Sequence, residues 1–188
     1  METLSLMVTG HRPNKLDNAY EIMHPLNVEI GKEMRKYILE QAGFNKVTRT
    51  FQYVKVKIIS GMAIGVDTIW ALVAIRLKEQ FPDIFELECA IPCANHSSRW
   101  NTETQKKYKE ILSKADKVTH VSTAPYAPQL MQERNVYMVK NADKVLAVWD
   151  GTKGGTGNCV EYALKQSKDI SIYHPFEKTW TYHSTLNI

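Results

Sequence analysis

The stretch Val54-Lys-Val-Lys-Ile-Ile-Ser60 runs directly into Gly61-Met-Ala-Ile-Gly-Val-Asp67, and this junction decides the fold. Its first half is apolar and β-branched, which predicts a strand over residues 54–60. Its second half places two glycines at the start of an amphipathic stretch, which predicts a helix over residues 64–81 that ends before a proline. A strand joined to a helix by a tight glycine turn is the repeating unit of parallel α/β sheets.

The same alternation extends along the chain in both directions. Apolar runs and helical periods predict further strands over residues 4–9, 85–91, 117–121, 144–149 and 170–173, and further helices over residues 26–42, 101–115, 129–141 and 158–168. We therefore expect an α/β, Rossmann-like fold, a three-layer α/β/α sandwich with a mainly parallel sheet. No linker, repeat or change of composition interrupts residues 1–188, so one domain is expected. The polar and aromatic tail, residues 176–188, carries no pattern that predicts an element, and we expect it on the surface.

Composition and charge narrow the class of protein. Hydrophobic residues make up 44% of the 188 residues, and no apolar run approaches the roughly 18 residues of a membrane span. The N-terminus lacks the pattern of a signal peptide and the cysteines are three, an odd number, so a cytoplasmic protein with reduced thiols is expected. Cys89 and Cys93 have no second pair at metal spacing, so no metal site and no cofactor are predicted. The net charge of +4, scattered along the chain, suits an anionic small ligand and favours nucleic acid only weakly.

The segments that follow the predicted strands carry candidate ligand groups, because parallel sheets bind ligands beyond the carboxyl ends of their strands. The first strand is followed by Gly10, by the titratable ring of His11 and by the fixed cation of Arg12. Two glycines open onto a helix after the second strand, where backbone N–H groups attract anions. After the third strand a cation precedes Trp100, an indole that either stacks on a base or covers the core. These segments supply the candidate binding residues Gly10, His11, Arg12, Ser60, Gly61, Met62, Asp67 and Arg99.

The segment after the fifth strand, Asp150-Gly-Thr-Lys-Gly-Gly-Thr-Gly-Asn158, is the most distinctive of the chain. Four glycines and two threonines open onto the next predicted helix. Such a segment can form a concavity of backbone N–H groups above a helix N-terminus, which binds anions. A flexible surface turn is the simpler alternative. The segment adds the candidate binding residues Asp150, Gly154, Gly155, Thr156, Gly157 and Asn158.

Several of these segments resemble motifs of two known families. The stretch Ser60 to Asp67 resembles the S-G-x-A-x-G-x-D motif of the DNA-processing protein A family, and Arg134-Asn135 resembles its R-N stretch. Met131-Gln-Glu-Arg-Asn135 also resembles the M-H-E-R-K motif of the "Lonely guy" phosphoribohydrolases, and Gly154 to Glu161 resembles their G-G-x-G-T-x-x-E motif. Both families belong to the SLOG superfamily of Rossmann-like nucleotide-related proteins. The opening Gly10-His-Arg-Pro13 looks most like small SLOG proteins of bacteria and phages.

The resemblance to the hydrolases implies cleavage of the N-glycosidic bond of a nucleoside 5′-monophosphate, with Arg134 and Glu161 as catalytic residues. Glu161 would stabilise the developing sugar cation and orient water. Arg134 would hold the phosphate, with Asn135 beside it as a binding residue. Asn135 and Asn158 stand where the hydrolase motifs have lysine and threonine, so the sequence leaves open whether the protein is an enzyme.

Three functions follow from the two resemblances. The first is binding of a nucleotide or nucleotide-derived small molecule, with hydrolysis of its N-glycosidic bond. The second is a non-catalytic sensor or sequestering protein for an NAD- or ADP-ribose-derived signal, and the third is a single-stranded DNA-binding protein. A nucleotide-type small molecule is the expected partner, a membrane is not, and nucleic acid is the less favoured one. Because related SLOG proteins assemble, a homodimer or higher homo-oligomer is expected, and one pocket should unite His11, Arg12, Gly61, Arg134 and Gly155.

Overall fold

Strands and helices alternate within residues 2–184, which the computed structural model describes. The strands are β1 (Thr3–Gly10), β2 (Lys55–Ser60), β3 (Phe85–Ile91), β4 (Lys117–His120), β5 (Lys144–Val148), β6 (Asp169–His174) and β7 (Thr179–His183). The α-helices are α1 (Pro25–Gln41), α2 (Val66–Gln80), α3 (Thr102–Lys114), α4 (Pro128–Asn141) and α5 (Gly155–Lys165). A short 3-10 helix, Pro13–Lys15, follows β1.

The strands form one sheet in the order β4-β3-β2-β1-β5-β6-β7, and every neighbouring pair is parallel except β6 and β7. The chain proceeds from β1 through β2 and β3 to β4, and then returns to place β5 on the other side of β1. The strand order therefore reverses between β1 and β5, whose carboxyl ends are in register at Gly10 and Val148. Open α/β sheets bind their ligands in the crevice beyond such a reversal.

Two apolar cores lie on the two faces of the sheet. Successive side chains of a strand point to opposite faces, so Leu6 and Val8 of β1 pack into the core beneath α1, α2 and α3, whereas Met7 packs into the core beneath α4 and α5. Trp70 of α2 is fully buried in the first core and donates its indole N–H to the Ile59 carbonyl at 3.1 Å. The expected three-layer, Rossmann-like sandwich with a mainly parallel sheet is confirmed.

The C-terminal segment contains an element that the sequence analysis did not predict. Thr179–His183 forms β7 and pairs antiparallel with β6, with Trp180 opposite Tyr173. Trp180 packs 5.1 Å from the Tyr173 ring and 5.9 Å from the Tyr37 ring, and this aromatic contact attaches the strand to the sheet edge. The part of the predicted tail beyond residue 184 lies outside the described residues.

Helix α5 begins three residues earlier than predicted. The predicted start at Asn158 assumed that all the glycines belong to a loop, but the helix begins at Gly155 and includes Gly157. This change brings the glycine-rich segment itself to the helix N-terminus. Of the helices within residues 2–184, none has the length and apolar character that a membrane crossing requires.

Candidate functional site

A cavity of about 260 Å³ opens where the strand order reverses, between the ends of β1 and β5 and the first turns of α2 and α5, with α4 as a side wall. The reversal itself produces it, because the loops after β1 and β5 lead away to opposite faces of the sheet. Its lining residues are Thr9, Gly10, His11, Arg12, Asn14, Lys15, Ala63, Asp67, Met131, Arg134, Asn135, Met138, Thr152, Gly154, Gly155 and Thr156.

Arg134 forms the side wall of the cavity and is only 6% exposed. Its Nη1 donates to the Gly61 carbonyl and lies 3.2 Å from Asp67 Oδ2, and its Nε donates to Asn135 Oδ1 at 3.0 Å. Within the described part of the chain its Nη2 has no partner. One arm of the guanidinium is thus anchored, while the other remains available to an anion, in the planar fork that suits phosphate and carboxylate.

The close approach of Arg134 explains the glycine at position 61. A Cβ atom on Gly61 would lie 2.6 Å from Arg134 Cζ and 2.8 Å from its Cδ, distances that real Cβ contacts do not adopt. Gly61 therefore leaves room for Arg134 in the wall of the cavity and does not itself line the cavity.

Asp67 is the buried counter-ion of Arg134. Burial raises the pKa of this carboxyl, and the nearby Arg134 guanidinium opposes that effect. Oδ2 also accepts from the Ala63 N–H at 3.3 Å, and the Ser60 hydroxyl donates to the Asp67 carbonyl at 2.8 Å. Ser60 and Asp67 thus hold the β2–α2 turn in place, and the ligand contact predicted for Asp67 would compete with this structural role.

A second hydrogen-bonded pair, His11 and Asp150, joins the loop after β1 to the loop after β5. His11 is 3% exposed, and its Nε2 lies 2.6 Å from Asp150 Oδ1. The same oxygen accepts from the Thr152 N–H at 3.0 Å and from the Thr152 hydroxyl at 2.7 Å. Burial raises the pKa of Asp150, but the hydrogen bonds from Thr152 and His11 outweigh it and hold that pKa well below its usual range. Asp150 therefore stays ionised and fixes the floor of the cavity.

Lys15 is a cavity residue that the sequence analysis missed. Its Nζ donates to Thr152 Oγ1 at 3.0 Å and to the Lys153 carbonyl at 3.1 Å, which holds the ammonium against the glycine-rich segment. Lys15 lies on the 3-10 helix beyond Pro13, five residues after the strand end, where inspection of strand ends alone does not find it. The methionines Met131 and Met138 of α4 were also missed, because in sequence they are indistinguishable from core residues.

The N-terminus of α5 faces the cavity without a side-chain cap. Gly154, at φ 148° and ψ −166°, adopts a backbone conformation that is essentially restricted to glycine. In the described structure the N–H groups of Gly155, Thr156 and Gly157 have no hydrogen-bond acceptor, and the helix continues for eleven residues. Three donors and the positive end of a helix dipole thus meet an arginine and a lysine at one place, which favours an anion.

The structure brings some predicted residues together and leaves others apart. His11, Arg12, Arg134, Asn135 and Gly155 all line the cavity, together with Gly10, Asp67, Gly154 and Thr156. Behind the wall or beneath the floor lie Ser60, Gly61, Met62 and Asp150, while Gly157 and Asn158 belong to the first turn of α5.

Glu161 and Arg99 do not line the cavity, contrary to expectation. Glu161 is exposed on α5, six residues after Gly155. Six residues of an α-helix correspond to about 9 Å of rise, so Glu161 lies well beyond the N–H groups of the first turn. Arg99 is exposed on the loop before α3, which leads to the other side of the β2–α2 turn.

Solved structures with this fold include two DNA processing A proteins. DprA of Streptococcus pneumoniae superimposes with a TM-score of 0.60 at 16% identity over 90% of this chain, and this chain spans half of that protein. DNA processing protein A of Helicobacter pylori, described in a study of its single-stranded DNA binding mode, gives a TM-score of 0.56 at 18% identity over 90% of this chain and 64% of that one. At these identities the likeness shows the fold alone.

Relatives by sequence are found in bacilli. The SPbeta prophage-derived protein YoqJ of Bacillus subtilis (strain 168) is 31% identical over 144 residues, 68% of this chain and 84% of that protein. A UPF0398 protein of Bacillus cereus (strain B4264) is 27% identical over 172 residues, 91% of this chain and 88% of its own. The profile of the YspA SLOG family matches residues 6–179. The chain therefore belongs to the YspA SLOG family, and so to the SLOG superfamily.

Proposed function

We propose that this protein binds a nucleotide-type ligand in the cavity at the strand reversal, with the ligand's phosphate on the N-terminus of α5. One observation carries the proposal: the N–H groups of Gly155, Thr156 and Gly157 have no acceptor in the described structure, and Gly155 and Thr156 line a cavity whose lining also includes three cationic side chains. Such donors bind an anion with little reorganisation, because the backbone already holds them.

The charges around these N–H groups support a phosphate in particular. Arg134 offers its second guanidinium nitrogen from the wall, Lys15 lies beside the glycine-rich segment, and Arg12 is exposed at the rim. Arginine forks and lysine ammonium groups are the side chains that most often bind phosphate oxygens. The cavity volume of about 260 Å³ is slightly below the roughly 300–1,000 Å³ of ordinary ligand pockets, which suits nothing larger than a single nucleotide.

Binding without hydrolysis is the version of this proposal that the geometry favours. Cleavage of an N-glycosidic bond needs a carboxylate beside the sugar. Glu161 lies outside the cavity, Asp67 is engaged by Arg134, and Asp150 is engaged by His11 and Thr152. A sensor or sequestering role for a signal nucleotide therefore agrees better with these residues than a phosphoribohydrolase does.

The test compares two exposed arginines. Arg12→Gln removes a cation from the cavity rim, and Arg99→Gln removes one that does not line the cavity. Calorimetric titration with AMP should show about a tenfold weaker affinity for Arg12→Gln, as for loss of a charge-assisted hydrogen bond, and no change for Arg99→Gln. Chromatography of the titrated mixture should show intact AMP, and release of adenine would establish a hydrolase instead.

Single-stranded DNA is the alternative ligand, favoured by the likeness to the Helicobacter pylori protein. A thymidine oligonucleotide whose affinity falls steeply with salt, in a protein that does not bind AMP at millimolar concentration, would support that alternative. If neither AMP nor the oligonucleotide binds, the cavity is not a nucleotide site. The proposal includes self-association, and light scattering at micromolar concentration should give a mass above the 21.5 kDa of one chain.

A further inference from the structure

We infer that a second cavity, between the start of α1, α2 and α3, binds a flat heteroaromatic small molecule that carries hydrogen-bonding groups at its edge. This cavity has a volume of about 430 Å³, larger than the cavity at the strand reversal. The two cavities flank the β2–α2 turn, since Ala63 lines the first and Ile64 lines the second. The inference does not depend on the proposed nucleotide function.

One wall of the second cavity contains the aromatic rings of Trp100 and Tyr108, which are held in place by ring contacts. The Trp100 ring lies 5.3 Å from the Tyr108 ring and 5.0 Å from the His96 ring, both in edge-to-face arrangements. His96 Nε2 is bonded to the Met62 carbonyl at 3.0 Å, and burial lowers the pKa of His96 to about 4, so this ring is neutral at physiological pH. The interlocked rings of Trp100 and Tyr108 favour a planar ring packed against them. The lining also includes the charged side chains of Glu21, Glu103 and Lys107, which suit polar groups at the edge of such a ring.

Polar atoms in this wall lack partners. The indole N–H groups of Trp70, Trp149 and Trp180 each donate to an oxygen of the protein, whereas that of Trp100 has no acceptor among residues 2–184. In the same range the Tyr108 hydroxyl has no partner either, although the residue is 9% exposed. A donor and a hydroxyl are therefore available to a ligand on one side of the cavity.

The opposite wall contains an acceptor without a donor. Asn27 is 4% exposed, and its Nδ2 donates to the carbonyls of Ala19 and Glu21, both at 2.8 Å. Its Oδ1 is sealed from solvent and receives no hydrogen bond within the described residues. A buried acceptor without a donor destabilises the protein, and a ligand N–H that reached Asn27 Oδ1 after a shift of residues 19–23 would remove that cost.

Residues 17–23, which precede α1 and form the mouth of the cavity, have features of a segment that can move. Tyr20 is 62% exposed and Met23 is 74% exposed, although both line the cavity. Asp17 and Asn18, just before them, both have positive φ angles, 54° and 53°. Large apolar side chains at the mouth of a cavity gain contact area when a ring enters beneath them. A ligand with N–H groups at its edge and an apolar face therefore suits both walls and the mouth.

The experiment places a bulky side chain in the second cavity and leaves the first cavity unchanged. Thr104 lines the cavity from the first turn of α3, and Lys106, two residues later, is exposed and does not line it. We would record saturation-transfer NMR for adenine, cytosine, benzamide and indole with wild type, Thr104→Phe and the matched control Lys106→Phe. Thermal unfolding would establish that both variants fold, and titration with inorganic pyrophosphate would report on the first cavity independently.

At least one of the four probes should give a saturation-transfer signal that Lys106→Phe retains and Thr104→Phe reduces about fivefold or more. Trp100→Phe, which keeps a ring but removes the N–H, should weaken the same probe about threefold. Pyrophosphate titration should be identical for wild type and Thr104→Phe. If no probe loses its signal in Thr104→Phe, the inference is wrong. If pyrophosphate does not bind to wild type, only the proposed nucleotide function is contradicted.

Discussion

Two buried charge clusters lie one turn apart along α4, and they differ in one respect. At Arg134 the guanidinium is anchored by Asp67 and Gly61, but one nitrogen has no partner in the described structure and faces the cavity. At Tyr137 the hydroxyl donates to Glu88, a carboxylate that is 1% exposed. Within the described residues, the first cluster therefore has a free donor on a residue that lines the cavity, whereas the buried carboxylate of the second cluster lies outside the cavity.

Groups of the protein itself contact both oxygens of the Glu88 carboxylate. Lys57 Nζ lies 2.5 Å from Oε2, while Thr119 and Tyr137 donate to Oε1 at 2.7 Å and 2.6 Å, and Lys117 adds a further cation at 3.2 Å. Burial raises the pKa of Glu88, but the hydrogen bonds from Lys57, Tyr137 and Thr119 outweigh it and lower that pKa to about 2. A buried charge alone therefore does not mark a ligand site. A buried charge with a donor left over, in a cavity, does.

The largest expected effect is on stability at Arg134. Arg134→Met leaves the Asp67 carboxylate buried without its cation, so we expect the free energy of unfolding to fall by about 3–5 kcal/mol. Urea denaturation followed by circular dichroism measures this. Arg76→Met, at an exposed arginine of α2, is the control and should change stability by less than about 0.5 kcal/mol. Equal losses in the two variants would contradict the ion-pair account.

A smaller effect on stability, without an effect on ligand binding, is expected for a substitution in the Glu88 cluster. Glu88→Gln removes the charge that Lys57 and Lys117 face, and we expect a loss of about 1–3 kcal/mol in unfolding free energy. The affinity for AMP should not change, because Glu88 does not line the cavity. Glu133→Gln, at an exposed carboxylate of α4, serves as the control. A weaker AMP affinity in a folded Glu88→Gln protein would show that the two clusters are coupled.

The pH dependence of stability should differ between wild type and Glu88→Gln. The pKa of Glu88 is lowered from 4.5 to about 2 in the folded state. The stabilisation from its ionised form is therefore fully present above pH 4.5 and is lost as the pH falls towards 2. Urea midpoints measured across this interval should fall less steeply for Glu88→Gln. Parallel curves for the two proteins would mean that Glu88 titrates normally.

The smallest effect is expected at Glu161. Because this side chain is exposed and outside the cavity, Glu161→Gln should change the AMP affinity by less than about twofold and stability by less than about 0.5 kcal/mol. Calorimetry and urea denaturation measure the two quantities. A protein that releases adenine from AMP, and loses about a hundredfold in rate on this substitution, would restore Glu161 as the catalytic carboxylate.

The fold was predictable because its signals are local and repeated. Most strands of the parallel part contain a short apolar run, and the glycine turn at Ser60 and Gly61 marks the change from strand to helix. The polar β4 is the exception. β7 was missed because Thr179–His183 lies on a sheet edge with one face exposed, so its polar residues obscure the strand pattern. Its stability comes from Trp180 against Tyr173 and Tyr37, a contact between distant parts of the chain.

The site was predictable only in part, for a geometrical reason. Parallel sheets bind ligands beyond the carboxyl ends of their strands, and this rule identifies His11, Arg12 and the glycines of the segment after β5. Strand order alone brings these residues to one edge of the sheet. Whether a helical residue faces the cavity depends on where its helix begins. A shift of three residues in the start of α5 places Glu161 beyond the first turn, and no motif carries that information. Lys15 requires the path of the 3-10 helix, which is set by tertiary packing.

The contact between Gly61 and Arg134 has a consequence for how this protein can evolve. A methyl group at position 61 would occupy the space of the arginine, so Gly61→Ala is harmful while the arginine is present and becomes acceptable only after a shorter side chain replaces it. Loss of the arginine first is harmful as well, because it leaves Asp67 without its cation. Neither single mutational step is therefore neutral. Lineages that still carry the arginine are confined to glycine at the end of β2, and the two positions behave as a single inherited unit.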